Sequence, residues 1–159
     1  MKKLIFTMFL LSITGGLSAQ TMPSDADPKL WEKALKIHRK AIIVDGHNDV
    51  TGPMVDQDFN LADDSRGRIQ ISGDPYHTDI ARLKQGGITG EFMSIYVSGA
   101  TLQTGGSMRR AMDLIDATYR EAERHNDLVS CITAEEIRRA KKQYKICLLM
   151  GIEGGYAIE

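Results

Sequence analysis

Apolar residues in this chain occur either in short continuous runs or at helical spacing. Three runs, at residues 41–45, 92–97 and 145–150, are mainly apolar, and the first is rich in β-branched side chains. Runs of this length predict strands, and the first has the composition of a strand buried on both faces of a sheet. The first strand is expected to stop at 46–49, and the third runs into the glycine-rich segment 151–155.

Two helices are predicted before the second strand. The first has Asp27 as its N-cap and ends near Lys40, with apolar residues recurring at helical spacing between them. The second is short: Thr78 is expected to cap it, and the pair Gly86 and Gly87 to terminate it.

Two further helices are predicted before the third strand. The first is long and amphipathic, and its apolar face is expected to carry Met108, Ala111, Met112, Ile115, Tyr119 and Ala122. In the second, Thr133 and Glu136 have the spacing of a capping box, and the helix is expected to run to about Lys142.

Strands that alternate with helices predict an α/β fold with a parallel sheet. The segment 50–76 is polar, contains several glycines and prolines, and has no sustained period, so it is predicted to be a long loop. Loops of this length inside compact domains are usually functional or mobile.

The positive and negative charges of the chain are nearly balanced. The chain has 20 Lys and Arg against 21 Asp and Glu, so nothing indicates a nucleic-acid partner.

The N-terminus has the pattern of a signal peptide. Lys2 and Lys3 precede a short apolar run, and small residues follow up to Ala19. This pattern predicts a signal peptide over 1–19 and an exported mature chain, periplasmic or secreted, over 20–159. A membrane anchor is the alternative, but the apolar run is shorter than a membrane span requires, so no span is expected in the mature chain.

The two cysteines, Cys131 and Cys147, both lie in apolar, strand-like runs. An oxidising compartment would permit a disulfide between them. The apolar surroundings favour the other interpretation, in which both are buried free thiols that act as small hydrophobic side chains.

Candidate metal ligands follow the first and third strands. His47 and Asp49 are two residues apart, so an extended backbone directs both side chains to the same side, where one metal ion could bind both. Glu153 lies among glycines, which allow a close approach of the backbone. Because active sites of α/β folds lie at the carboxyl ends of parallel strands, all three residues are candidate metal ligands. The alternatives are a turn with a capping Asp and a Glu that caps the next helix.

Four motifs in this order resemble the N-terminal part of the renal (membrane) dipeptidase family. They are DGHND at 45–49, HTDIARLKQGG at 77–87, FMSIYV at 92–97 and GIEGG at 151–155. The resemblance implies a (β/α)₈ barrel, of which this chain would form about three βα units, and two Zn²⁺ ions at its C-terminal face. It also implies that His47 and Asp49 ligate one zinc ion and that Glu153 bridges both.

The same resemblance implies a zinc-dependent dipeptidase with dipeptides as substrates and a homodimer as a form of the full-length protein. Two further zinc-binding histidines, a substrate-binding histidine and a late catalytic Asp would lie beyond Glu159. We therefore expect the chain to be an N-terminal portion that is inactive by itself. The alternatives are another metal-dependent amidohydrolase, such as a deacetylase, and a secreted binding module without enzymatic activity.

Overall fold

The computed structural model describes residues 21–158, so the predicted signal peptide at 1–19 lies outside the described residues. The strands are β1 (Ile43–Asn48), β2 (Ile88–Tyr96), β3 (Leu128–Ser130) and β4 (Ile146–Glu153). The helices are α1 (Pro28–Lys40), α2 (Thr51–Asp56), α3 (Ile80–Gln85), α4 (Thr101–Thr104), α5 (Ser107–Arg124) and α6 (Ala134–Lys142), followed by a 3₁₀ turn at Gly155–Ile158. Within 21–158, no helix has both the length and the apolar character needed to cross a bilayer.

The four strands form one parallel sheet in the order β1-β2-β4-β3. On one face, α5 packs its Ala111, Leu114 and Ala117 into the clusters that contain Met93 and Ile95 of β2. On the other face, α6 packs Ile137 and Ala140 against Cys147 and Leu149 of β4. The predicted parallel α/β arrangement is therefore confirmed, with a fourth strand, the three-residue β3, in addition to the three predicted strands.

The prediction that β1 is buried on both faces is wrong. Residues 44–47 are exposed, and the side chain of Val44 keeps 43% of its accessible surface. Strand β1 lies at the edge of the described sheet and pairs only with β2, and neither Ile43 nor Val44 belongs to one of the hydrophobic clusters of the described residues. Helix α1 does not cover the strand, because none of its residues is buried.

The segment 50–76 is not simply a loop. It begins with α2 and contributes Phe59, Leu61 and Tyr76 to the hydrophobic core. The rings of Phe59 and Tyr76 stack with their centroids 4.3 Å apart, and the guanidinium of Arg68 lies over both rings. These few apolar residues fix the segment although most of its positions are polar.

Asp79, not Thr78, caps the short helix α3: its carboxylate accepts a hydrogen bond from the backbone N–H of Arg82 at 2.8 Å. The same carboxylate accepts hydrogen bonds from the Ser65 hydroxyl and from Nε of Arg82. Burial raises the pKa of Asp79, but these hydrogen bonds outweigh burial and leave the pKa below its usual range. The network joins the segment 50–76 to α3. The predicted terminator is confirmed, since α3 ends before Gly86 and Gly87 takes a φ of 71°.

The buried face of α5 differs from the predicted apolar face. Met108, Met112 and Tyr119 are exposed, whereas Leu114, Ala117, Thr118 and Glu121 are buried. Glu121 can be buried because its carboxylate accepts a hydrogen bond from the backbone N–H of Leu61 at 3.2 Å and pairs with Arg124 at 2.9 Å. A hydrophobic pattern does not reveal a buried polar contact, so the predicted buried face of α5 omitted Glu121.

Cys131 and Cys147 are buried, as expected, but the prediction that they are free is wrong, because they form a disulfide. Strands β3 and β4 are parallel neighbours in which Val129 is in register with Cys147. This arrangement brings the Cα atoms of the two cysteines to 5.5 Å, a normal separation for a disulfide. The predicted capping box at Thr133 and Glu136 is confirmed at the start of α6.

Candidate metal centre

The three predicted ligands lie at the carboxyl ends of two strands of the sheet. His47 belongs to the end of β1, Asp49 follows that strand directly, and Glu153 is the last residue of β4. One ligand atom from each residue can be chosen so that all three atoms lie within 4.8 Å of one another. The structure therefore brings together the residues that the sequence predicted at separate strand ends.

The distances in this cluster suit a zinc ion. Nε2 of His47 lies 3.1 Å from Oδ1 of Asp49 and 3.3 Å from Oε2 of Glu153. Two donors bound tetrahedrally at about 2.1 Å from an ion lie about 3.4 Å apart. One imidazole nitrogen and two carboxylate oxygens are also a donor set that zinc accepts in proteins. The residues present therefore fit the metal.

The same geometry allows a hydrogen bond when no metal is bound. A proton on Nε2 of His47 would be shared with the carboxylate of Asp49. Metal binding through Nε2 requires the imidazole to carry its proton on Nδ1 instead. Solvent reaches all three donors, because the side chains of His47, Asp49 and Glu153 keep 55%, 74% and 45% of their accessible surface.

Asn48 lies between His47 and Asp49 in the sequence, and its side chain bonds to residues outside the metal-type cluster. Its amide donates a hydrogen bond to Oγ1 of Thr78 at 2.9 Å, and its Oδ1 accepts one from the backbone N–H of Val50 at 3.1 Å. These two bonds use the amide and the carbonyl oxygen of the Asn48 side chain to link the end of β1 to Thr78 and Val50. Thr78 thus supports this turn and does not act as the predicted helix cap.

Two hydroxyl side chains support the site, and neither belongs to the residues predicted from the sequence. Oγ of Ser94, on β2, donates a hydrogen bond to Oε2 of Glu153 at 2.7 Å. Oγ1 of Thr51, at the start of α2, donates to the backbone carbonyl of Ser94. A sequence signal for Ser94 existed, namely one small polar residue near the end of an otherwise apolar strand.

A cleft of about 340 Å³ opens beside the donors and is lined by Asp49, Thr51, Gly52, Ser94, Tyr96, Arg110, Leu114 and Glu153. The first residues of the segment 50–76 therefore form part of its wall. Arg110 adds a cation, and its guanidinium makes two 2.7 Å hydrogen bonds to the carboxylate of Asp56. The cleft thus combines a cluster of metal-type donors with one positively charged group.

Glu91 of β2 is a buried carboxyl group near the turn that carries the donors. It has no accessible surface, and neither carboxyl oxygen has a hydrogen-bond partner within residues 21–158. Burial, with a smaller contribution from the charge of Asp45 in register on β1, raises the pKa of Glu91 to about 7. The nearby side-chain amide of Asn48 acts in the opposite direction and lowers the pKa.

Comparison with known proteins gives consistent matches to one family. Residues 31–159 match the family described as membrane dipeptidase, peptidase family M19. Dipeptidase 3 from Mus musculus and dipeptidase 3 from Rattus norvegicus are each 29% identical to the chain over 140 residues. These matches cover 84% of the chain but 26% of each relative, so the chain spans about a quarter of the length of these curated relatives.

Two solved structures share the fold. One is dipeptidase AC, a metallopeptidase of family M19, with a TM-score of 0.56 and 22% identity over 73% of the chain and 36% of that structure. The other is a metallopeptidase from Rhodobacter sphaeroides bound to a phosphinate mimic of the dipeptide L-Ala-D-Ala, with a TM-score of 0.54 and 21% identity over 73% of the chain and 39% of that structure. The four-stranded parallel sheet corresponds to part of the (β/α)₈ barrel of such proteins.

Proposed function

The chain belongs to the membrane dipeptidase family, peptidase family M19, and from this premise we propose that it forms part of a zinc-dependent dipeptidase. The observation that carries the proposal is the cluster of His47, Asp49 and Glu153 at the carboxyl ends of β1 and β4. Dipeptides are the proposed substrates, and the dipeptide mimic bound to one structural neighbour supports this choice.

In the proposed site, His47 and Asp49 would hold one zinc ion, and Glu153 would serve both ions of a two-zinc site. When bound, the two ions would lower the pKa of a water molecule and polarise the carbonyl of the scissile peptide bond. The negative charge of Glu153 offsets part of the repulsion between two neighbouring cations. The cleft beside the donors has room for a small substrate, and its volume is about 340 Å³.

The first test is zinc binding by the 159-residue chain after removal of metal with a chelator. We expect titration calorimetry to show one zinc ion bound to the wild type, because three donors suffice for one ion. His47→Ala and Glu153→Gln should each lose this binding. His77→Ala is the matched control, since His77 is exposed and lies outside the cluster. Equal zinc binding by all of these variants would contradict the proposed ligands.

The second test concerns turnover. Three donors do not complete a two-metal site, so we expect no zinc-dependent hydrolysis of a dipeptide by the 159-residue chain and hydrolysis by a protein that contains the further donors implied by the resemblance. Zinc-dependent turnover by the 159 residues would contradict this. A binding module without a metal would unfold at the same denaturant concentration with and without chelator. No observation favours a deacetylase.

We also propose that the chain is exported and that the intact protein can form a homodimer. The disulfide between Cys131 and Cys147 supports export, because disulfides persist mainly in oxidising compartments. Mass spectrometry of the protein recovered from outside the cytoplasm should give an N-terminus at Gln20. An unprocessed N-terminus would contradict cleavage after residue 19. Sedimentation of the intact protein tests the dimer.

A further inference from the structure

The sheet order places a strand between the two parts of the candidate metal centre. His47 and Asp49 come from β1, Glu153 comes from β4, and β2 lies between these strands. Backbones two strands apart in a sheet are separated by about 10 Å. The ligand atoms nevertheless lie within 4.8 Å of one another, so the side chains from both sides must extend over β2.

The residue of β2 that contacts this cluster is Ser94. Its register partner on β4 is Gly151, and the next residue on the same face of β2, Tyr96, is in register with Glu153. A serine side chain is small enough to leave space for the donors above the strand. Ser94 is buried, with 3% of its surface accessible, so its hydroxyl has a fixed position.

Ser94 also connects the two segments that carry the donors. Its hydroxyl donates to Oε2 of Glu153 at 2.7 Å, and its carbonyl accepts a hydrogen bond from the hydroxyl of Thr51, two residues after Asp49. Glu153 needs such a partner because its side chain is nearly half exposed and the next residue, Gly154, has a φ of 83°. Neither burial nor the following backbone restricts the carboxylate strongly.

We propose that Ser94 is a positioning residue that holds the carboxylate of Glu153 at the distance from His47 and Asp49 that a metal ion requires. The inference rests on the proposed metal site. Ser94 acts through Glu153 and is not a ligand. Hydrogen bonds to ligating groups typically contribute 10-fold to 100-fold to metal affinity, since they hold the ligand in its binding orientation.

The test is the zinc dissociation constant of the 159-residue chain, measured by titration calorimetry. Ser94→Ala removes the hydroxyl, and we expect the dissociation constant to rise by about 10-fold to 100-fold. Ser94→Thr keeps the hydroxyl that bonds to Glu153, so its dissociation constant should be closer to that of the wild type than that of Ser94→Ala is. The matched control is Ser107→Ala, which removes a buried hydroxyl bonded to Thr101 at 2.7 Å, away from the donors.

The outcomes separate this inference from the proposed function. Zinc binding by the wild type with unchanged affinity in Ser94→Ala would overturn the role of Ser94 and leave the proposed ligands standing. No zinc binding by the wild type would overturn both. Denaturation in chelator supplies the second measurement: equal losses of stability and unchanged zinc affinity in Ser94→Ala and Ser107→Ala would mean that Ser94 is only structural.

Discussion

Replacing Glu91 by Gln should change the pH dependence of stability. The folded-state pKa of Glu91 is raised to about 7 by burial, whereas the ordinary value is 4.5. Between these pH values the folded chain retains a proton that the unfolded chain has lost, so stability falls as the pH rises through this window. At about 1.4 kcal/mol per pKa unit, the full loss is about 3 kcal/mol, and most of it falls between pH 5 and 8.

The assay is urea denaturation of the wild type and Glu91→Gln at intervals from pH 5 to 8. Glutamine has nearly the same shape and carries no charge at any of these pH values. The difference in the free energy of unfolding between variant and wild type should therefore move in favour of the variant by about 2 to 3 kcal/mol as the pH rises. Glu123→Gln, at an exposed position of α5, corrects for the loss of one formal charge. A constant difference across the range would refute the reasoning.

Three further substitutions test other parts of the fold by denaturation at neutral pH. Cys131→Ala combined with Cys147→Ala should lower the free energy of unfolding by about 3 kcal/mol, because the disulfide closes a loop with a sequence separation of 16. An unchanged free energy of unfolding would contradict a disulfide. Asp79→Ala should lower the free energy of unfolding by about 2 to 3 kcal/mol, because the buried Ser65 hydroxyl and the Arg82 guanidinium lose the carboxylate that they bond to. The control is Asp74→Ala at an exposed position, and an equal loss in both variants would count against the network. Thr133→Ala should cost about 1 kcal/mol by removing the cap of α6, and Thr104→Ala, outside the capping box, is its control.

The positions of the main strands could be predicted from the sequence because continuous apolar runs identify strands directly. The pairing of His47 with Asp49 could also be predicted, since side chains two apart in a strand point the same way. Their approach to Glu153 followed from the rule that carboxyl ends of parallel strands share one edge. These successes depend only on local pattern and on the class of fold.

The remaining features depend on which segments pack together. The exposure of β1 follows from its position in the sheet, and the disulfide follows from the adjacency of β3 and β4, neither of which is encoded in a local period. The buried face of α5 includes Glu121, and a local pattern does not reveal its contact with Leu61, which is 60 residues away in the sequence. Ser94 was missed because its partner Glu153 is on another strand.

The segment 50–76 contributes side chains both to the wall of the cleft and to the hydrophobic core. Its first residues, Thr51 and Gly52, line the cleft, while Phe59, Leu61 and Tyr76 belong to the core. Altering the cleft by exchanging the whole segment would therefore remove part of the interior as well. Point substitutions at the cleft wall should be tolerated better than loop grafts, so engineering of selectivity in this region is best restricted to single side chains that face the cleft.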